Sequence, residues 1–148
     1  MFCVHKFHYN LGKALHSVYK GRDSDDTSLL ITTQIYYGKE YISRDDQLRI
    51  PIVKLCMDAG KKAIESCRHD LAYLHLEAAS SLLPEDCWES QYDISLRLNF
   101  MMANAANSSC KYDEAVIILE KILNEGRCTK DKLPTYFLLI QSKCDFSS

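Results

Sequence analysis

Apolar residues return at three- and four-residue steps along most of the chain, the spacing that lines one side of an α-helix. From Ile52 the series runs through Leu55, Cys56, Ala59, Gly60, Ala63 and Ile64. Ala72, Leu76, Ala79 and Leu83 form a second stripe, and Pro84 follows where a helix cannot continue. Residues 87–108 are apolar on two sides, with Ile94, Leu98, Met101 and Ala105 on one and Leu96, Phe100 and Ala103 on the other. A helix of that kind belongs between two neighbours. Asp86, followed by Glu89, has the pattern of a capping box at its start. Tyr112, Ala115, Ile118, Leu119 and Ile122 make a further stripe that stops at Gly126, a residue suited to the left-handed position after a helix. A last helix is expected from Thr129 to about residue 143, carrying Tyr136, Leu138, Leu139 and Ile140, with Pro134 in or near its first turn.

The N-terminal third is less regular. Residues 6–20 can place Leu11, Ala14, Leu15 and Val18 on one helix side, and residues 21–26 read as a polar, acidic loop. The run from Ile31 to Tyr37 is β-branched and aromatic enough for a strand. Helix is the better assignment, because a single strand among helices would have no partner. Pro51 requires that a helix beginning near Ser43 either kink or start late. With no strands to pair, helix-on-helix packing is the way to bury these stripes, and an all-α fold of about seven helices in antiparallel hairpins is expected.

Composition narrows this picture. The 148 residues suffice for one domain with a core, and the chain is 47% hydrophobic and 26% charged, as globular chains are. A net charge of −2 leaves no basic excess for phosphates, so nucleic acid is not expected as a partner. The longest apolar runs, such as 115–119, are too short to cross a bilayer, and the N-terminus lacks the pattern of a signal peptide. Seven cysteines include no Cys-x-x-Cys pair, and the expectation is reduced, structural thiols in a cytoplasmic protein.

Two segments echo each other. Cys67-Arg68-His69-Asp70-Leu71-Ala72 and Cys110-Lys111-Tyr112-Asp113-Glu114-Ala115 each join two helices, and their alanines stand 43 residues apart. Self-similarity at such a spacing marks stacked helical hairpins. Residues 44–84 form the first unit and 86–126 the second, within a single helical-repeat region spanning 1–148.

The first unit resembles a tetratricopeptide repeat. Gly60 and Ala63 match the small positions of that motif's first helix, and Ala72, Leu76, Ala79 and Pro84 match the small, large, small and terminating positions of the second. Ala103, Ala106, Ala115, Leu119 and Ile122 take the corresponding places in the second unit. There Ile122 replaces a small residue and Arg127 stands where the proline would be. The period also exceeds the family's usual length of about 34 residues. The run 55–63, with its Ala59-Gly60-Lys61-Lys62-Ala63, is similar to a helix of very large signalling proteins. So are Ala72-Tyr73-Leu74, residues 82–88, Tyr92-Asp93 and 112–115, and residues 8–49 resemble the stretch preceding that helix. Those proteins join a serine/threonine-kinase-like domain, an AAA-type predicted ATPase and a long tetratricopeptide-like region, often with GAF and histidine-kinase domains. The resemblance implies a tetratricopeptide-like superhelix forming part of a longer protein. It does not extend to nucleotide binding, since the chain has no Gly-x-x-x-x-Gly-Lys-[Ser/Thr] run.

Candidate chemistry is thin. His5 and His8 would share a helix face, with His16 near, but no further metal ligand stands beside them. Asp23-Ser24-Asp25-Asp26 lacks the glycine and glutamate of a calcium-binding loop. Cys67 and His69 point in different directions and have no orienting acid, and His75 reads as a packing residue. We expect no catalytic residue, cofactor or metal, and a small cysteine- or metal-dependent hydrolase is the least favoured reading. The leading expectation is a non-catalytic scaffold or protein-binding segment in signal transduction, whose partner is a protein, a peptide or a neighbouring domain. A free-standing, self-associating adaptor is the alternative. Trp88 is expected to anchor a helix start or meet a partner, and Tyr136 and Phe137 to form a sticky outer face.

Overall fold

The computed structural model describes residues 3–19, 25–42 and 46–146. Among these residues the chain is helical throughout its regular structure, with no strand and nine helices. They are α1 (Val4–Tyr19), α2 (Asp25–Tyr37), α3 (Lys39–Ile42), α4 (Asp46–Glu65), α5 (His69–Leu82), α6 (Cys87–Ser90), α7 (Tyr92–Ser108), α8 (Tyr112–Glu125) and α9 (Thr129–Phe146). About seven were expected from the periodicity; the two additional ones, α3 and α6, are single turns of four residues. Periodicity does not register so short an element.

Each long helix packs on the next. α1 lies on α2, α4 on α5, α7 on α8 and α8 on α9, while α5 bridges from α4 to α7. The strand-like run is helical after all. Ile31 and Ile35 fall on one buried face, and the Thr32 hydroxyl donates to the Ser28 carbonyl (2.9 Å), one way a β-branched residue is accommodated in a helix. One core joins α2, α4, α5 and α7 through Ile35, Ile52, Val53, Leu76, Leu82 and Leu98. A second gathers Cys87, Trp88, Ala103, Leu119, Ile122 and Leu138 from α6 to α9. Fully burying one such leucine or isoleucine stabilises by about 1.5–3 kcal/mol.

Four local expectations need correction. Residues 87–108 are not one helix: the chain leaves helical geometry at Gln91 (φ −135°, ψ 47°), and the Ser95 hydroxyl stitches the two pieces by donating to the Cys87 carbonyl (3.0 Å). Asp86 makes no side-chain cap, because its backbone (φ −86°, ψ 19°) lacks the extended conformation from which a cap reaches back. Gly126 is extended (φ −61°, ψ 131°) rather than left-handed. Closeness accounts for it, since a Cβ there would lie 2.8 Å from the Ile122 carbonyl oxygen. Pro134 is the sixth residue of α9, past the first turn, just as Pro51 is the sixth of α4. The carbonyls that lose a donor, on Lys130 and Gln47, belong to exposed residues, so water can satisfy them. The start near Ser43 and residues 21–24 of the acidic loop lie outside the described residues.

Candidate interaction surfaces

The two echoed segments are two copies of one backbone turn. Cys67 (φ 57°) and Cys110 (φ 59°) are left-handed, a region that side chains other than glycine visit at a cost of roughly 1–2 kcal/mol. In each copy the following N–H reaches back five residues, Arg68 to the Ala63 carbonyl (2.8 Å) and Lys111 to the Ala106 carbonyl (2.9 Å). The cysteine N–H itself bonds Ile64 (2.9 Å) in one copy and Asn107 (3.1 Å) in the other. This pair of bonds is a Schellman ending with cysteine where glycine is usual. Sequence reasoning found the echo but missed the conformation, because cysteine carries no left-handed signal.

Two of the expected packing positions, Gly60 and Leu76, lie in direct contact. Gly60 lies against Leu76 so closely that a Cβ would stand 2.7 Å from its Cγ. Moved 43 residues along, the same pair is Ala103 and Leu119, which share the second core. Ala63, Ala72, Leu76, Ala79, Ala103, Ala106, Ala115, Leu119 and Ile122 are all buried, and Pro84 is half-buried.

Arg127, at the place of the missing proline, clamps two corners together. Its N–H donates to the Tyr92 hydroxyl oxygen (2.8 Å), and its guanidinium donates to the Trp88 carbonyl (3.2 Å) while stacking 4.1 Å from the Tyr92 ring. The Tyr92 hydroxyl in turn donates to Asp131 (2.6 Å), which holds that carboxyl below its usual range. This clamp was not legible in the sequence, since its members are 35–39 residues apart.

Between α2 and α5 lies a cleft of about 250 Å³, lined by Thr32, Tyr36, Tyr37, Leu71, Leu74 and His75 among others. Thr32 spends its hydroxyl proton on Ser28, so His75 Nδ1 donates to Thr32 Oγ1 (3.0 Å). Burial, aided by Arg68, pushes the His75 imidazole below its ordinary value. His75 is thus a neutral, bonded packing group. His69 is half-buried, with Nδ1 enclosed. His5 and His8 tie α1 to α2, donating to the Tyr37 carbonyl (2.8 Å) and to Gln34 Oε1 (2.6 Å).

The expected contact residues separate. Trp88 is 9% exposed and packs in the second core at 6.0 Å from the Tyr92 ring, so it presents little surface to a partner. Tyr136 and Phe137 are exposed on α9, with Leu133 and Ile140 beside them. Val4, Phe7 and Val18 are exposed on α1 at the other end.

Among the described residues no group of three or more His, Cys, Asp or Glu side chains is arranged to hold a metal ion. No described helix is long and apolar enough to cross a membrane. Cys67 is the left-handed residue of the first turn, and His69 opens α5 two residues on. Comparison with known families, curated proteins and solved structures found no match.

Proposed function

We propose that this chain is a non-catalytic helical-repeat scaffold, a tetratricopeptide-like protein-interaction segment of a cytoplasmic signal-transduction protein of the ATPase and kinase type. The observation that supports it most is the repeated hairpin, in which the same left-handed turn recurs at 43 residues and a fully buried leucine stands at the same place in each second helix. Repetition of a unit that buries its apolar face on its neighbours is how solenoid scaffolds are built. The order of the family-like motifs supports the signalling context.

The test has two parts. An antibody raised to this chain should detect a natural product far larger than 17.0 kDa, whose kinase- or ATPase-type activity changes when Leu119→Asp disrupts the second hairpin. The isolated region should hydrolyse no ATP. A single band near 17.0 kDa would reject the segment reading and leave the free-standing adaptor, which the exposed α9 side chains favour.

A further inference from the structure

The cleft between α2 and α5 has a polar floor. His75 is 5% exposed and Thr32 3%, and the two are bonded through His75 Nδ1 and Thr32 Oγ1 (3.0 Å). Because the Thr32 proton goes to the Ser28 carbonyl, the imidazole proton of this pair sits on Nδ1. A neutral imidazole carries one such proton, so Nε2 is left as an acceptor. It has no hydrogen-bond partner among the described residues. Burial and the nearby Arg68 both oppose protonation, which keeps that lone pair available.

The second hairpin shows that packing alone does not need this group. Moved 43 residues along, the place of His75 is taken by Ile118, a partly buried residue that packs against both cores. An isoleucine fills such a place without the cost of burying a polar ring. The acceptor therefore belongs to the first hairpin, where α2 and α5 enclose a cleft.

The walls decide what fits. Tyr36, Tyr37, Leu71, Leu74 and Ala78 make them largely apolar and aromatic, and Glu77 is the charged residue of the lining, which disfavours an anion. The cleft measures about 250 Å³. A dry cavity of about 150 Å³ takes a benzene ring, and pockets for drug-sized ligands begin near about 300 Å³. One ring or a fused pair fills the space between those limits. An acceptor at the floor selects a ring that carries an N–H or O–H donor.

We propose that this cleft binds an indole- or phenol-type ring, whose N–H or O–H donates to His75 Nε2 while the ring packs on the apolar walls. The inference goes beyond the scaffold reading and does not rest on it. The same ring can arrive as a free small molecule or as a tryptophan or tyrosine side chain of a partner.

The test titrates the whole chain with indole and with benzofuran, which has the same shape and an ether oxygen in place of the N–H. Indole should bind saturably, and benzofuran about tenfold more weakly, the worth of one neutral hydrogen bond. Bound indole should move the His75 Nε2 resonance in long-range proton–nitrogen spectra and leave Nδ1 protonated. Leu74→Glu, at an exposed wall position, should weaken indole by about tenfold with an unchanged melting temperature. Ile117→Glu, at the equivalent exposed place on α8, should have no effect. A capped tripeptide with a central tryptophan separates the sources. Binding at least about tenfold tighter than indole assigns the ring to a protein partner, and equal or weaker binding assigns it to a free small molecule. Equal affinity for indole and benzofuran, saturable binding of neither indole nor the peptide, or a His75 resonance that does not move would overturn the proposal. Any of these leaves the scaffold reading standing, since that reading is tested on the size and activity of the natural product.

Discussion

The α4/α5 and α7/α8 hairpins do the same structural work with different residues at several of their shared positions. Both turn through a left-handed cysteine, and both bury a leucine completely in the second helix, Leu76 or Leu119. They differ in how the second helix stops. After α5 the chain meets Pro84, which cannot continue a helix. After α8 the same place is Arg127, and the stop comes from bonds to Tyr92 and the Trp88 and Glu89 carbonyls. One ending is local and covalent; the other depends on α6 and α7 being in place. Equivalent geometry can thus rest on unlike causes.

The comparison is most severely tested at the two leucines. Leu76→Ala and Leu119→Ala should each cost about 3–5 kcal/mol in urea unfolding, since both side chains are fully buried. A difference larger than about 2 kcal/mol between them would break the equivalence. Next comes the small partner. Gly60→Ala should destabilise by about 1–2 kcal/mol, because its Cβ meets the immobile Leu76 and overpacking outweighs the gain in helix propensity. At the equivalent site Ala103→Gly should also destabilise, by about 1 kcal/mol, through backbone freedom. The preferred residue is therefore opposite at the two positions, and a stabilising Gly60→Ala would show the closer helix approach to be unnecessary.

Titration should separate the hairpins too. Cys56 and His75 are buried in the first, and their equivalents 43 residues on are Asn99 and Ile118, which do not titrate. Burial pushes the Cys56 thiol from 9.0 up to about 12. Its contribution is therefore full below about pH 9 and is lost above it at roughly 1.4 kcal/mol per pH unit. His75 is shifted the other way, so its contribution is full above about pH 6.5 and is lost as pH falls through the window below that. The urea midpoint should drop between about pH 8 and about pH 10, and Cys56→Ala should flatten that drop. The smallest effects belong to the turns. Cys67→Gly and Cys110→Gly should each raise stability by up to about 1 kcal/mol, by relieving the left-handed cysteine. Unequal gains would show that the two turns are not equally strained.

The all-helical character and the buried stripes of the long helices were legible from the residues alone, because a helix presents every third or fourth side chain to the same side and its stripe is written locally. Ala72 and Ala115, or Leu76 and Leu119, announce themselves by that spacing. What tertiary structure alone decided lies where distant segments meet. The break at Gln91, the extended Gly126, the Arg127 clamp and the left-handed cysteines depend on contacts and carbonyls that no local pattern encodes. The sequence marked Tyr136 and Phe137 as apolar and Trp88 as either buried or available. Only the packing of α6 against α7, α8 and α9 placed Trp88 inside and left Phe137 on the surface, since burial is a property of neighbours rather than of the residue.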